Sequence, residues 1–440
     1  MKRLGASREI IWAVAGGAAA FIYSATGRFI VGGDTSQYVH RSLFRPPLYP
    51  MFLEFLGGIG CTWRAAVVLQ SFFVVVCAFY LSLIFRRRFN LVPWAFLTAY
   101  FLLLVPLLPS KSIYFSMWGL IGRYIMTEAS GYGIFLLTYG FMVESVYEPS
   151  LKNFSIFAAL AVLNTMVRAQ FLFVYAAVPV FGLWFYFKSR DGRRLALLAV
   201  AFVACLAAGK AAGALFAGKY PAGSVTGNQL KICLFPTILF FSSPEDLALF
   251  VDRPYYPLLE KIYRDINAKK YPARFHEEMN EDLVTFHDSR IVSIYEDAYR
   301  IIQDESHAAE LADDQTFVAS VPMADGVVFT LLRKYGMDYV RLWAQEFIAG
   351  FSFRHGLAMG IFAACWIWGL RRPPDIIAVL TAAMTAANHA VVALLMYNGS
   401  RHLFYTDTCV LLFVVLLWGY RDSIRVDGPG AARRACSIRE

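Results

Sequence analysis

Charge is scarce in this chain. Only 17% of its 440 residues are Asp, Glu, Lys or Arg, while 58% are hydrophobic, against roughly 25% and 45–50% in soluble domains. That argues against an ordinary soluble enzyme, and the apolar content excludes a disordered chain. No G-x-x-x-x-G-K-[ST] run is present, so the phosphate-cradling loop needed for ATP-driven transport is missing. No C-x-x-C pair occurs among the seven cysteines. Cys77, Cys205, Cys365 and Cys409 fall inside apolar stretches, where a thiol behaves as a small hydrophobe. Cys61 and Cys233 lie outside them with no spacing that pairs them. His276-Glu277-Glu278-Met279-Asn280 opens like a zinc-protease helix but lacks the second histidine, which leaves a solvated charged face. No metal-ligating set is read from the sequence, and no internal repeat supports an inverted-repeat transporter.

What the chain has in abundance is apolar runs of bilayer length, each needing about 20 residues with few charges. The net charge of +9 is distributed unlike a nucleic-acid surface. Residues 243–338 carry 19 acidic and 10 basic side chains of the totals of 32 and 41, leaving 13 and 31 elsewhere. Many of those bases cluster beside apolar runs, the positive-inside pattern and not a nucleic-acid footprint.

Spans are expected at residues 10–30, 65–85, 92–109, 129–147, 195–216, 342–370, 376–396 and 403–420. The 34-residue run 154–187 adds a tight pair of short helices turning near Arg168 and Gln170, because basic residues flank both of its ends. The first run is read as an uncleaved anchor, with a cleaved signal peptide as its rival. The expectation is an all-α polytopic membrane protein of about ten transmembrane helices. Both termini are cytoplasmic, and Arg86-Arg87-Arg88 marks the inner side. The units are an N-terminal transmembrane module (1–218, with an outer loop at 28–64), a small, mainly helical extracytoplasmic domain (219–339), C-terminal transmembrane helices (340–420) and a basic tail (421–440). The location expected is a bacterial cytoplasmic membrane, with the site on the outer face. An endoplasmic reticulum protein would obey the same charge rule.

The densest constellation follows the first span: Gly32-Gly33-Asp34-Thr35-Ser36-Gln37-Tyr38, then Arg45-Pro46-Pro47-Leu48-Tyr49-Pro50. Glycines let the chain turn sharply, and three prolines in five positions stiffen it, holding Arg45 and Tyr49. Further along come Arg123-Tyr124-Ile125-Met126-Thr127-Glu128, then Asn164 to Gln170 with Arg168 at its centre, and Asn398-Gly399-Ser400-Arg401-His402. An arginine in a membrane segment costs roughly 2.5–3.5 kcal/mol on insertion scales, which makes Arg168 a functional candidate. Its bland reading is an ordinary pairing with a lone acid.

This arrangement resembles the GT-C membrane glycosyltransferases, the class of protein O-mannosyltransferases and lipid A aminoarabinose transferases. The resemblance implies a GT-C-like helical fold and a catalytic acid in the first outer loop, here Asp34, followed by an R-P-P-x-Y-P segment. It implies a second acid at the start of a helix, here Glu128, and an arginine between short paired helices, here Arg168. His402 stands where relatives often have tyrosine. The outer domain has no counterpart in the resemblance.

The expected activity is transfer of a sugar from a polyprenyl-phosphate donor to a lipid, glycan or protein acceptor on the outer face. Asp34 acts as general base in an inverting displacement. Lys111, Arg123, Arg168 and Arg401 bind the donor phosphate, with Arg45, Tyr49, Gln170 and His402 as further substrate-binding residues. Glu128 orients the acceptor, shares the base role or helps hold a metal; a divalent ion is compatible with the chemistry and not required by it. Three alternatives stay open: a transporter or flippase of a lipid-linked saccharide, an acyltransferase using His355 or His402, and an assembly subunit.

Overall fold

Where water is excluded, each backbone N–H and C=O has to be satisfied within its own segment, and helices do this. The computed structural model describes residues 8–31, 35–39, 46–108, 121–125, 127–217, 234–308, 313–349, 373–395, 405–412 and 415. Among these residues the regular structure is helical, apart from one isolated parallel bridge between Ile30 and Tyr124. The chain is an all-α protein, and its apolar helices make it membrane-embedded.

Helices α1 (Arg8–Thr26), α4 (Trp63–Phe89) and α5 (Pro93–Leu104) pack together at the N-terminal side. Gly16 and Gly17 of α1 let it approach Phe101 and Tyr100 so closely that a Cβ on either glycine would overlap those rings. Helix α4 is stopped by Asn90 in the left-handed conformation, a role open to Asn, and α5 starts on Pro93, whose missing N–H costs nothing there. Two short helices, α2 (Thr35–Val39) and α3 (Leu48–Gly58), lie between α1 and α4.

Helix α6 (Thr127–Tyr147) is buried along nearly its whole length and forms the axis on which α4 and α7 (Leu151–Val167) pack. After α7 the backbone is extended at Arg168 and then runs as a 3₁₀ helix over Ala169–Ala176 into α8 (Ala177–Ser189). The break lies where the sequence placed the turn of a short helix pair. Helix α9 (Gly192–Ala217) follows; one face packs on α7, with Gly209 against Val162, and few of its residues are fully buried.

Residues 234–342 build a core of their own, from Phe240, Ile262, Phe286, Ile294 and Leu331 among others. It is carried by α10 (residues 234–241), α11 (Tyr256–Ala268), α12 (Leu283–Ala308) and α13 (Asp313–Ala349). Helix α13 runs without interruption through position 339/340, the expected domain boundary. Helix α14 (Pro373–Leu395) and a helical stretch at residues 405–412 complete the described chain.

Among the described residues, five helical segments are long and apolar enough to cross a membrane: Arg8–Thr26, Trp63–Phe89, Ala169–Ser189, Gly192–Ala212 and Ile376–Leu394. Pro93–Leu107 and Leu151–Val167 are apolar but shorter. Most of the expected span 342–370 lies outside the described residues, as does much of 403–420.

Candidate functional site

The break after α7 is what opens a polar centre in an otherwise apolar bundle. Arg168 Nη1 donates to Glu128 Oε1 at 2.6 Å, and the two side chains are only 13% and 1% exposed. Glu128 sits in the first turn of α6, where the free N–H groups and the helix dipole favour a carboxylate. Arg168 Nε donates to Gln170 Oε1 at 3.1 Å. Gln170 Nε2 passes the chain on to Asn388 Oδ1 of α14 at 3.0 Å, and Asn388 Nδ2 donates to Thr406 Oγ1 at 2.7 Å. Four separate segments are thereby joined by one run of hydrogen bonds.

An aromatic wall closes one side. Phe171 and Tyr405 have ring centroids 4.4 Å apart, and Phe135 and Phe173 pack against both. Tyr405 and Tyr38 both lie within electrostatic reach of Arg168. Rings that keep water out lower the local dielectric, which strengthens a made hydrogen bond and raises the penalty for an unmade one.

On the other side the segment between α1 and α4 is stitched to the start of α6. Tyr38 hydroxyl shares a hydrogen bond with Thr127 Oγ1 at 3.2 Å and meets the Tyr49 ring edge to face at 5.4 Å. Tyr49 donates to Gln70 Oε1 at 3.1 Å, and Gln70 Nε2 donates to the carbonyls of Gly122 and Tyr124 at 2.6 and 2.7 Å. Ile30 N–H donates to Arg123 O at 2.8 Å, and Thr35 Oγ1 donates to Ile125 O at 3.3 Å. The described residues on both flanks of positions 32–34 are therefore tied to residues 123–125.

The structure brings together Glu128, Arg168 and Gln170, with Tyr49 joined to them through Tyr38. Tyr49 is fully buried and its hydroxyl is held by Gln70, so it braces the segment. Arg123 has a different partner: its guanidinium stacks on the Tyr23 ring at 4.4 Å and Nη2 donates to Tyr23 O. The two described members of the expected cation cluster thus have separate partners. Asp34, Arg45, Lys111, Arg401 and His402 lie outside the described residues.

Sequence reasoning placed Tyr38 in the first constellation without a role of its own, and missed Gln70, Asn388, Tyr405 and Thr406 as members of the site. Asn388-His389 was visible as a polar pair inside an apolar run, and so was Asp407, a buried acid in the last helical stretch. Comparison of the chain with protein-family models, with curated proteins and with solved structures finds no match.

The site occupies one end of the bundle. Sixteen residues along α6 from Glu128, Glu144 pairs with Arg87 and Arg88, and Arg88 also reaches Glu148 at 2.6 Å. At 1.5 Å per residue the two charged centres are about 24 Å apart along the helix. The polar chain therefore lies at the end opposite the triple arginine. Chemically it offers a fixed cation with a matched anion, joined by hydrogen bonds or chain proximity to the buried hydroxyls of Tyr38, Thr127 and Thr406.

Proposed function

We propose that this chain is a membrane glycosyltransferase that moves a sugar from a polyprenyl-phosphate donor to an acceptor hydroxyl at the outer membrane surface. The observation that carries the reading is the buried Glu128–Arg168 pair at a helix break, tied through Tyr38, Thr127 and Thr35 to the segment flanking Asp34. A buried arginine at the end of the bundle opposite the basic cluster is suited to an anionic headgroup, which it can engage through several N–H donors.

In the proposed reaction the acceptor oxygen attacks the anomeric carbon as the bond from that carbon to the phosphate oxygen breaks. Asp34 takes the acceptor proton, and the phosphate leaves with the bonding electrons. Arg168, with Lys111, Arg123 and Arg401 as further candidates, offsets the charge that develops on it. Glu128 holds Arg168 in place and Gln170 steadies its other edge. Arg45 and His402 complete the proposed substrate-binding set, with Tyr49 bracing the segment between α1 and α4. One displacement inverts the anomeric centre. The same reading takes the chain to have about ten spans of GT-C type, cytoplasmic termini and a bacterial cytoplasmic membrane as its location.

A second reading, transport of a lipid-linked saccharide, is favoured by one observation: the polar chain joins four segments, as a substrate pathway between helices would. Reconstituted protein given a radiolabelled polyprenyl-phosphate sugar separates the two. Sugar transfer that is lost in Asp34→Asn with expression retained supports the enzyme. Intact transfer in Asp34→Asn rejects the proposed base, and donor translocation without transfer selects the transporter.

A further inference from the structure

We propose that Arg28, Arg64 and Arg123, framed by the rings of Tyr23, Phe29 and Trp63, form a docking site for the headgroup of an anionic phospholipid at the end of the bundle opposite the triple arginine. The arginines come from three segments that the fold draws together. Ile30 N–H donates to Arg123 O and Ile125 N–H to Ile30 O, which sets the end of the α1 segment beside residues 123–125. The Phe29 and Trp63 rings meet edge to face with centroids 6.3 Å apart, which brings the neighbouring Arg64 to the same end. Trp63 opens α4 and the triple arginine closes it. At 1.5 Å per residue Arg64 and Arg87 are about 34 Å apart along the helix, slightly more than a bilayer's hydrocarbon core.

Charge sets this cluster apart. Membrane chains concentrate lysine and arginine at one end, and in this chain two of the arginines at that end have the carboxylates of Glu144 and Glu148 as partners. At the opposite end, none of Arg28, Arg64 and Arg123 has an acidic partner among the described residues. Arg28 and Arg64 are exposed. Arg123 is held in place: its guanidinium lies where a side chain on Gly27 would stand and over the Tyr23 ring at 4.4 Å, with Nη2 donating to Tyr23 O. Its Nε is buried with no hydrogen-bond partner. A guanidinium fixed in this way loses little freedom on binding, and its planar array of donors matches phosphate oxygens.

The surroundings favour a lipid over a soluble anion. Tyr23, Phe29 and Trp63 are 40%, 45% and 41% exposed, and tyrosine and tryptophan at helix ends suit the headgroup level of a bilayer. Further along the same two helices, Ile22 of α1 and Leu69 and Phe72 of α4 are exposed apolar side chains, near the seam where the Phe21 and Phe72 rings meet at 5.9 Å. Both helices are long and apolar enough to cross a membrane. Acyl chains therefore have an apolar surface continuous with the arginines, whereas a soluble phosphate would gain from the arginines alone. Arg123 contacts the end of α1 and not Glu128, so this lipid is a different occupant from the donor at Arg168. The claim goes beyond the glycosyl-transfer reading and does not rest on it.

The test uses full-length, delipidated protein in detergent, titrated in parallel with dioleoyl phosphatidylglycerol, dioleoyl phosphatidylcholine and inorganic phosphate. Bound lipid is counted by native mass spectrometry, and thermal stability is followed in the same samples. The parent is expected to prefer phosphatidylglycerol to phosphatidylcholine about tenfold or more and to be stabilised by it, with no such gain from inorganic phosphate. Arg28→Gln combined with Arg64→Gln is expected to weaken phosphatidylglycerol binding about tenfold or more, since each basic residue near anionic lipid contributes roughly fivefold. Gly27→Ala displaces the Arg123 guanidinium and is expected to weaken binding independently. Arg193→Gln, at the start of α9, is expected to bind as the parent does. If Gly27→Ala fails to fold, the double variant decides, since Arg28 and Arg64 are exposed. Equal binding of the two lipids by the parent, equal stabilisation by inorganic phosphate, parental binding in the folded double variant, or an equal loss in Arg193→Gln overturns the proposal. None of these readouts involves sugar transfer, so either proposal can fail without the other.

Discussion

Gln170 and Asn388 stand 218 positions apart in the chain and 3.0 Å apart in space, each the other's hydrogen-bond partner inside the bundle. Their contact joins the broken hairpin of α7 and α8 to α14, so the geometry around Arg168 depends on both halves of the protein. In Asn388→Ala the Gln170 amide loses its acceptor. Hydrogen bonds of this kind in membrane proteins average about 0.6 kcal/mol and reach about 1.7. The expected outcome is a modest loss of thermal stability in detergent and a larger loss of donor binding, because Arg168 loses the support of its neighbour.

The Glu128–Arg168 pair predicts a sharper asymmetry. Glu128→Gln leaves a buried guanidinium without its counter-ion and is expected to cost about 3–5 kcal/mol, as is Arg168→Met for the converse reason. The double variant removes both charges and is expected to recover much of that stability while staying inactive. Denaturation of the four proteins as a double-mutant cycle measures the coupling. Additive losses would show that the pair is not a unit.

Gln70 predicts a structural defect expressed at a distance. Its amide holds the Gly122 and Tyr124 carbonyls, and its oxygen holds Tyr49. Gln70→Leu strands those groups at about 1–3 kcal/mol each before relaxation. Lower thermal stability is expected together with faster proteolysis of the segment between α1 and α4. Unchanged proteolysis would mean that residues 121–125 hold their place without Gln70.

Gly131, one turn along α6 from Glu128, has no room for a methyl group. A Cβ there would sit 2.8 Å from Phe171 and 3.2 Å from the Tyr405 hydroxyl, the two rings that wall the site. Gly131→Ala is expected to cost about 1–3 kcal/mol through overpacking and to reduce donor binding. Gly192→Ala, where nothing lies within 4 Å, serves as the neutral control.

The helical unit of residues 234–342 should be acid-labile through Asp246. Burial pushes its carboxyl up, but the Lys334 ammonium, the Ser243 N–H and the Tyr335 hydroxyl together reverse this and hold it below the ordinary range. A depressed folded pKa contributes stability that is fully present above the unfolded value near 4. That contribution is lost as the pH falls through the lower folded value. Limited proteolysis of residues 234–342 should accelerate below about pH 4 in the parent. In Asp246→Asn it should already be faster at pH 7, with a flatter acid response.

Much of the framework was legible because membrane insertion reads composition directly. Arg86-Arg87-Arg88 marked one end of the bundle, and the structure sets Glu144 and Glu148 against Arg87 and Arg88 there. Arg168 stood out because a cation in an apolar run needs a reason, and the chain does break beside it. Its partner was less legible. Glu128 was a candidate in its own right, with a pairing left open, and it is the residue that neutralises Arg168. Tyr49 was placed among the substrate contacts, yet its hydroxyl is taken by Gln70, a residue with no local signal in α4.

By itself the sequence determined an all-helical, membrane-embedded chain and a helical unit in its acidic stretch, because hydropathy and helical periodicity are local properties that act over one or two turns. Which polar groups face one another was decided only by the tertiary structure. Glu128 with Arg168, Gln170 with Asn388 and His287 with Glu346 are separated by 40, 218 and 59 positions. In each pair the burial comes from packing against other helices, so the strength of the contact is a property of the assembled bundle and not of either segment.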